Sequence, residues 1–313
     1  MQSIPSSVLV AAALALTTLA VSGASAQRGD TRDRASQDAQ SRIDTTFAFS
    51  RSGVVDLTQV SGDIIVTSWD RAEARVRAYA ERGQVRSGLS SSRLSLDVES
   101  VRGRVGDSRF EVTVPVGVRV IARSRSGDVS VRGTKGAVQA ESTSGDVEVT
   151  DATERIVIES VSGDVRASQL SGEVRAQSVS GTIEVRGVSG DILAETTSGD
   201  VSLLGVTSRS VTATTVSGEV EYEGGIDPNG RYEFHAHSGN VRLEIPESSS
   251  AHFSIETFSG SLDTEFALTL QPGQRTTSRP RRYEFTLGSG TARVTAESFS
   301  GDIVLVRRAR STR

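Results

Sequence analysis

A recurring Ser-Gly turn constrains this chain more than any other feature. The glycines of these pairs fall at 127, 145, 163, 172, 181, 190 and 199, then at 218, 239 and 260. Their spacings are 18, 18, 9, 9, 9 and 9, then 19, 21 and 21. Cut into nines from Val120, the chain reads VIARSRSGD, VSVRGTKGA, VQAESTSGD, VEVTDATER, IVIESVSGD, VRASQLSGE, VRAQSVSGT, IEVRGVSGD, ILAETTSGD. The first position is Val or Ile, the third is mostly small and apolar, and the second and fourth are mostly polar. That alternation is the signature of a half-buried strand. The four residues that follow it form a turn. Two strand-turn units make one coil, so the fold class expected is all-β: a single-chain parallel β-solenoid of about 18–21 residues per coil.

Two arguments make the coil eighteen residues rather than nine. Units starting at Val120, Val138, Ile156, Val174, Ile192, Val211, Tyr232 and Phe253 all end in Ser-Gly-x, whereas those between them end in forms as different as TKGA, ATER and GIDPNGR. One edge is therefore uniform, and the other accepts insertions. Outward-facing charge gives the second argument. At a period of two units, Glu148, Arg166, Glu184, Ser202, Glu221, Arg242, Asp263 and Arg293 become neighbours, with signs that largely alternate. Opposite charges facing across a ladder contribute roughly 0.2–1 kcal/mol per pair.

The turn glycines are Gly62, Gly127, Gly145, Gly163, Gly172, Gly181, Gly190, Gly199, Gly218, Gly239, Gly260 and Gly301. Glycine suits a chain reversal because it tolerates positive φ, and serine beside it can bond nearby backbone. The inward residues grow to Tyr222, Tyr232, Phe234, Phe253, Tyr283 and Phe285, which predicts wider C-terminal coils.

The termini read differently. Val8 to Val21 is an apolar run followed by Ala24-Ser25-Ala26, a signal peptide over 1–26 with an A-x-A cleavage site, although MQSIPSS ahead of it has no Lys or Arg. Residues 27–44 are polar and charged without apolar period and read as a flexible leader. Arg28-Gly29-Asp30 within it is a chance tripeptide in an Arg/Asp-rich tail. The solenoid domain is expected over 45–306, with a basic tail over 307–313. There is no cysteine, so there is neither a disulfide framework nor a lipid-attachment box. A net charge of −4 from 35 basic and 39 acidic residues gives no case for nucleic acid. No transmembrane segment is expected after signal cleavage. The protein is expected to be exported, to the periplasm, the cell surface or beyond.

Residues 45–119 carry a less regular version of the pattern. Val55 to Asp63 is a clear unit, while RLSLDVES and RFEVTVPVG alternate outside the nine-residue register. These are read as irregular N-terminal cap strands, with a hairpin at ERGQVRSGLSS, since an open coil would expose strand edges and core. About ten coils at strand spacing would rise on the order of 45–50 Å.

At this point the residues resemble a known family. Gly62-Asp63-Ile64, Trp69-Asp70 with Val76, Pro115 with Gly117, and the serial Ser-Gly-Asp from Gly127 resemble the bacterial DUF4097 family of β-strand-repeat candidate adhesins. The resemblance covers roughly residues 50–306, with Val118 and Val120 where the family commonly has Leu. It implies a β-solenoid on an exported envelope protein and supplies no catalytic residues.

Enzymatic readings find little in the sequence. The three histidines are His235, His237 and His252. His235 and His237 share a strand face, half of a metal site at most, and are read as exposed surface residues. The serines have no His and Asp partners at a recognisable spacing. A calcium site is the sharper alternative. Asp128, Asp146, Asp164 and Asp200 should stack along the uniform edge, and a hard cation with oxygen ligands could relieve their repulsion. Calcium-binding nonapeptide repeats, however, carry G-G-x-G-x-D, and here Thr182, Asn240, Ser261 and Thr291 interrupt the acids. Solvated turn carboxylates are the preferred reading, and no cofactor is expected. The outward column Glu141, Glu159, Gln177, Glu195 is likewise read as a solvated face.

The sequence therefore predicts a non-enzymatic envelope or cell-surface adhesin or scaffold, with an unidentified protein or glycan as partner. Partner contacts are placed on the variable edge at EGGIDPNGR and LTLQPGQRTTSRPRR, because loops on a rigid scaffold commonly carry binding. A periplasmic ligand-binding or envelope-sensing module is the alternative, and a carbohydrate-active β-helix enzyme a third.

Overall fold

The computed structural model describes residues 41–99, 106–268 and 279–308. The signal peptide, Arg28-Gly29-Asp30, residues 269–278 of the long insertion and the tail beyond Arg308 lie outside the described residues.

Alternation in the sequence becomes alternation in burial. Val138–Ser144, Ile192–Ser198 and Ser210–Ser217 place every other side chain inside, and the short strands Val129–Arg132, Val147–Thr150, Val165–Ser168 and Ile183–Arg186 do the same. Apart from Val54–Trp69, which pairs into both sets, strands of the first kind pair with one another, and so do strands of the second kind. The result is two facing parallel sheets with one core between them. The register is eighteen residues: Val120, Val138, Ile156, Val174 and Ile192 stand in one column, and Val129, Val147, Val165 and Ile183 in the other. It grows to nineteen at Val211 and twenty-one at Tyr232. Each coil buries about four apolar side chains, as Ile156, Ile158, Val165 and Ala167 do. Complete burial of a valine or leucine contributes about 1.5–3 kcal/mol, but only if a neighbour covers the coil above and below, so no coil is stable alone.

The charge column holds through six members. Glu148 pairs with Arg166, Arg166 with Glu184, Glu184 with Ser202, Ser202 with Glu221, and Glu221 with Arg242. It then fails, because Arg242 faces Val304, Asp263 faces Val304 from the other side, and Arg293 lies in the opposite sheet. The cause is a change in stacking order. The last coil, Ala292–Ser300 with Ile303–Arg308, inserts between Arg231–Pro246 and the coil that begins at Ala251. Its second strand pairs with Val241–Pro246 over six residues, whereas Leu262–Thr264 has only three to offer. Placing the full-length coil inside satisfies more backbone groups.

The N-terminal end repeats this arrangement. Val54–Trp69 is one continuous strand that crosses both sheets. It lies between the coil of Arg119–Ser126 and Val129–Arg132 on one side and Arg93–Glu99 with Ser108–Pro115 on the other. Antiparallel strands close both ends. Gln84–Leu89 forms the expected hairpin with Arg93–Glu99, and Glu73–Ala80 covers Ser108–Pro115. Arg281–Leu287 covers Ala251–Thr257 at the other end. Ser41–Ala48 is a further antiparallel strand on Glu73–Ala80, so ordered structure begins inside the stretch read as leader. Arg307 and Arg308 belong to the last strand rather than to a tail.

The aromatic residues fill the variable edge of the C-terminal coils. Tyr222, Tyr232, Phe234, Phe253 and Phe285 are fully buried, while Tyr283 is only partly so. Tyr222 donates to the Gly225 carbonyl at 2.7 Å, and Tyr232 donates to the Ser208 carbonyl at 2.6 Å. Burial pushes both phenols above their ordinary pKa.

Candidate functional site

The uniform edge is built from three side-chain ladders. The glycine ladder is the first. Gly62, Gly127, Gly145, Gly163, Gly181, Gly199, Gly218, Gly239, Gly301 and Gly260 stack in that order, and a Cβ on any member after the first would sit 1.9–2.3 Å from the carbonyl oxygen of the glycine beside it. Positive φ is not the shared requirement, since Gly163, Gly181, Gly260 and Gly301 lie outside the left-handed range. Close approach of one coil to the next is. Gly172 and Gly190 make the same kind of contact on the opposite edge.

Buried hydroxyls form the second ladder. The residue that bonds the turn is not the serine beside the glycine but the one three positions earlier. Ser142, Ser160, Ser178, Thr196 and Thr215 donate to the carbonyls of Gly127, Gly145, Gly163, Gly181 and Gly199 at 2.9–3.3 Å. Ser298 and Thr257 repeat the bond to Gly239 and Gly301. Ser124 breaks the series. The Gly62 carbonyl in its reach is taken by Gln59 Nε2, and Ser124 Oγ has no partner.

The calcium candidates form the third ladder. Oδ1 of Asp128, Asp146, Asp164 and Asp200 accepts the backbone N–H of Asp146, Asp164, Thr182 and Glu219 at 2.8–3.0 Å. Asn240 does the same for Asp302, and Asp302 for Ser261. An asparagine oxygen accepts as well as a carboxylate oxygen does, which explains why the acid is replaceable there. Arg166 reaches both Asp146 at 2.6 Å and Asp164 at 2.8 Å, and so supplies a cation between stacked acids. Its guanidinium holds the Asp146 carboxyl below the usual range, and the Ser261 amide does so for Asp302. Thr291 does not belong to this edge; it precedes Ala292 on the other. Among the described residues no group of three or more His, Cys, Asp or Glu is placed to hold a metal ion.

Beside these ladders runs a groove of about 740 Å³. Its floor is the row of buried hydroxyls from Ser124 to Thr196. One wall is Arg123, Glu141, Glu159, Gln177 and Glu195; the other is Val60, Arg125, Thr143, Val161, Val179 and Thr197. The two walls stand two residues apart along each strand, about 6.8 Å. The column read as a solvated face is thus one half-buried side of a trough. Arg123 bridges Asp56 at 3.5 Å and Glu141 at 3.4 Å, while Gln177 bonds Glu195 at 2.6 Å. Glu159 has no side-chain partner among the described residues. The apolar wall continues through Val216 to three stacked rings: His237 on Phe299 and Phe299 on Phe258, each at 4.9 Å. Val179 is 49% exposed and Phe299 50%. His235, on the acidic wall's continuation, lies 3.3 Å from Glu297, and His252 lies 3.2 Å from the Thr286 hydroxyl, so the three histidines do not converge.

Sequence reading placed the outward columns correctly through Arg242 and missed the groove. The signal was present as Val161, Val179, Val216, Phe258 and Phe299, each two residues before a turn glycine, where a solvated edge would be polar. On the variable edge, Gly190, Asp191, Thr207, Ser208, Arg209, Gly225, Ile226 and Asp227 line a smaller cavity of about 440 Å³, with Arg209 paired to Asp227 at 3.4 Å.

No curated protein matches the chain. Among solved structures, a candidate adhesin from Bacteroides fragilis is 11% identical, with 84% of this chain and 96% of that chain covered and a TM-score of 0.38. A candidate cell-adhesion protein from Clostridium sporogenes is 8% identical, with 85% and 100% covered and a TM-score of 0.20. A candidate lipid-binding protein from Parabacteroides distasonis is 11% identical, with 86% and 97% covered and a TM-score of 0.29. The Toastrack DUF4097 family model matches residues 119–192 and 192–306, more than half of the sequence and nearly all of the regular coils. With its stacked Ser-Gly-Asp coils, the chain belongs to the Toastrack DUF4097 family.

Proposed function

We propose that this protein is a non-enzymatic, exported adhesin or interaction scaffold of the cell envelope or cell surface. The observation that carries this reading is the shape of its candidate site. The groove repeats the same three positions over successive coils and stays open along its length, with an exposed apolar wall. Catalysis needs unlike groups converging on one reacting atom, whereas adhesion needs a long surface on which many weak contacts add. The signal peptide read in the sequence supports export, and no helix of the described residues is long and apolar enough to cross a membrane. The cavity at Arg209 and Asp227 is a second contact surface in this reading, since loops on a rigid scaffold carry binding.

The test is a screen of the purified mature protein against glycans, envelope extracts and intact cells, with surface labelling of cells that express it. Retention of a ligand without turnover, together with labelling from outside, supports the adhesin. Release of a cleaved glycan would refute the non-enzymatic reading. Protection from label until the outer envelope is opened would place the protein in the periplasm.

A further inference from the structure

We propose that the groove beside the uniform edge binds an extended polypeptide segment carrying arginine or lysine side chains. The proposal rests on the adhesive reading above and names the partner chemistry at that surface.

The hydrogen-bond inventory of the groove points to a donor-rich ligand. Ser142, Ser160, Ser178 and Thr196 have each committed their single hydrogen to a glycine carbonyl, which leaves only lone pairs facing outward. Glu141, Glu159 and Glu195 are acceptors alone. The Gln139 and Gln177 amides are already turned onto Glu141 and Glu195, and the one guanidinium on that wall, Arg123, is already held by Asp56 and Glu141. Glu159 is half-buried between Glu141 and Gln177 and has no side-chain partner among the described residues. Such a surface is satisfied by ammonium or guanidinium groups, which only donate.

A second observation is independent of the acids. Ser124 lines the same groove, is 6% exposed, and its Oγ has no hydrogen-bond partner. Its sister hydroxyls are all satisfied within the fold. A buried polar atom left without a partner costs about 1–3 kcal/mol, and a backbone carbonyl or amide laid along the floor would remove that cost.

Spacing selects an extended chain. Coils stack about 4.8 Å apart, so Glu141 and Glu195 stand three steps or about 14 Å apart. In an extended segment, residues four apart on one face are also separated by about 13–14 Å. Basic residues at such positions meet Glu141 and Glu195, and the one between them falls between Glu159 and Gln177. Their aliphatic stems lie against Val161 and Val179. Arg125 is exposed at the N-terminal end of the groove, with no side-chain partner among the described residues. It repels a cation there and so sets the direction in which a basic segment enters.

The test uses the full mature protein and a fluorescent peptide alternating arginine with valine, followed by anisotropy. Controls are the same peptide with glutamate for arginine, and spermidine as competitor. Binding of the arginine peptide alone is expected. Its affinity should fall by on the order of tenfold or more in the Glu159→Gln/Glu195→Gln variant, about 1.4 kcal/mol or more, and should also fall with added salt. Ser124→Ala should weaken binding while raising the melting midpoint, since it removes the unsatisfied hydroxyl. Equal binding by wild type and the double variant, or no binding, would overturn the proposal. Spermidine binding as tightly as the peptide would replace the polypeptide by a small polycation. Cell or extract binding that is unchanged in the double variant would leave the adhesin standing and remove the groove.

Discussion

Replacing Gly163 by alanine tests the close-approach explanation of the repeat. The new Cβ would lie 2.2 Å from the Gly145 carbonyl oxygen, against about 3.4 Å or more for ordinary contact. That oxygen is backbone and cannot swing away, so the two coils must part locally by roughly 1 Å. The bonds that cross this gap include Gly145 N–H to the Ser162 carbonyl, Ser160 Oγ to the Gly145 carbonyl, and Asp164 N–H to Asp146 Oδ1. At about 1 kcal/mol each, their loss gives a destabilisation of about 3 kcal/mol. Gly187 is the matched control. Its φ of 59° is left-handed, but nothing lies within 4 Å of the added Cβ. Alanine there should cost only about 1–2 kcal/mol, the penalty of the conformation itself. Guanidinium midpoints for the two variants, compared at equal slope, measure the difference. The reasoning fails if Gly187→Ala proves as costly as Gly163→Ala, because positive φ rather than contact would then govern the turn.

Other outcomes follow from the same ladders. Ser178→Ala should lower stability by about 1–2 kcal/mol, since it leaves the Gly163 carbonyl without its donor, whereas Ser124→Ala should raise it in the same unfolding titration, since it removes an unsatisfied hydroxyl. Phe299→Ala removes both ring stacks at 4.9 Å and should cost about 1–3 kcal/mol by thermal melting. Asp146 and Asp302 have folded pKa values below their unfolded ones. Their contribution is therefore complete above the unfolded carboxylate value of about 4 and is lost as pH falls through the lower folded values. Unfolding titrations should show stability level near neutrality and falling below about pH 4, with Asp302→Asn reducing that fall while keeping the bond to Ser261. The melting midpoint should not change with a calcium chelator, because Oδ1 of each of the four stacked Asp is already bonded to a backbone N–H.

Much of this architecture is legible in residues. Val or Ile at the head of each unit, the Ser-Gly pair at its end and the Glu148–Arg166–Glu184 column specify strand, turn and an eighteen-residue register, because each follows from contacts between a coil and its identical neighbour. What fails is whatever depends on a non-identical neighbour. Asp263 and Arg293 look like further rungs, but the last coil inserts ahead of them. Phe49 stands outside any repeat unit and Phe110 alternates outside the nine-residue register, yet both are fully buried, because the caps are packed by shape rather than by repeat. Ser41 to Asp44 falls in the stretch read as a charged leader; the half-buried Ile43 and Phe47 of Ser41–Ala48 matter only once Glu73–Ala80 lies beside them.

The candidate site divides along the same line. Glycine, hydroxyl and acid at fixed offsets are written in the repeat itself, and so is the existence of outward columns. Their roles are not, because each role is a contact with an atom of the neighbouring coil: a carbonyl too close for a Cβ, a carbonyl that takes a hydroxyl, or an amide reaching a carboxylate. The groove, the unpaired Glu159 and the orphaned Ser124 arise only when coils lie side by side and one glutamine takes a carbonyl that a serine would otherwise hold. By itself the sequence determined the unit that is stacked. Tertiary structure decided the order of stacking and what is left unsatisfied between the coils, since both depend on which chain segments compete for the same backbone partners.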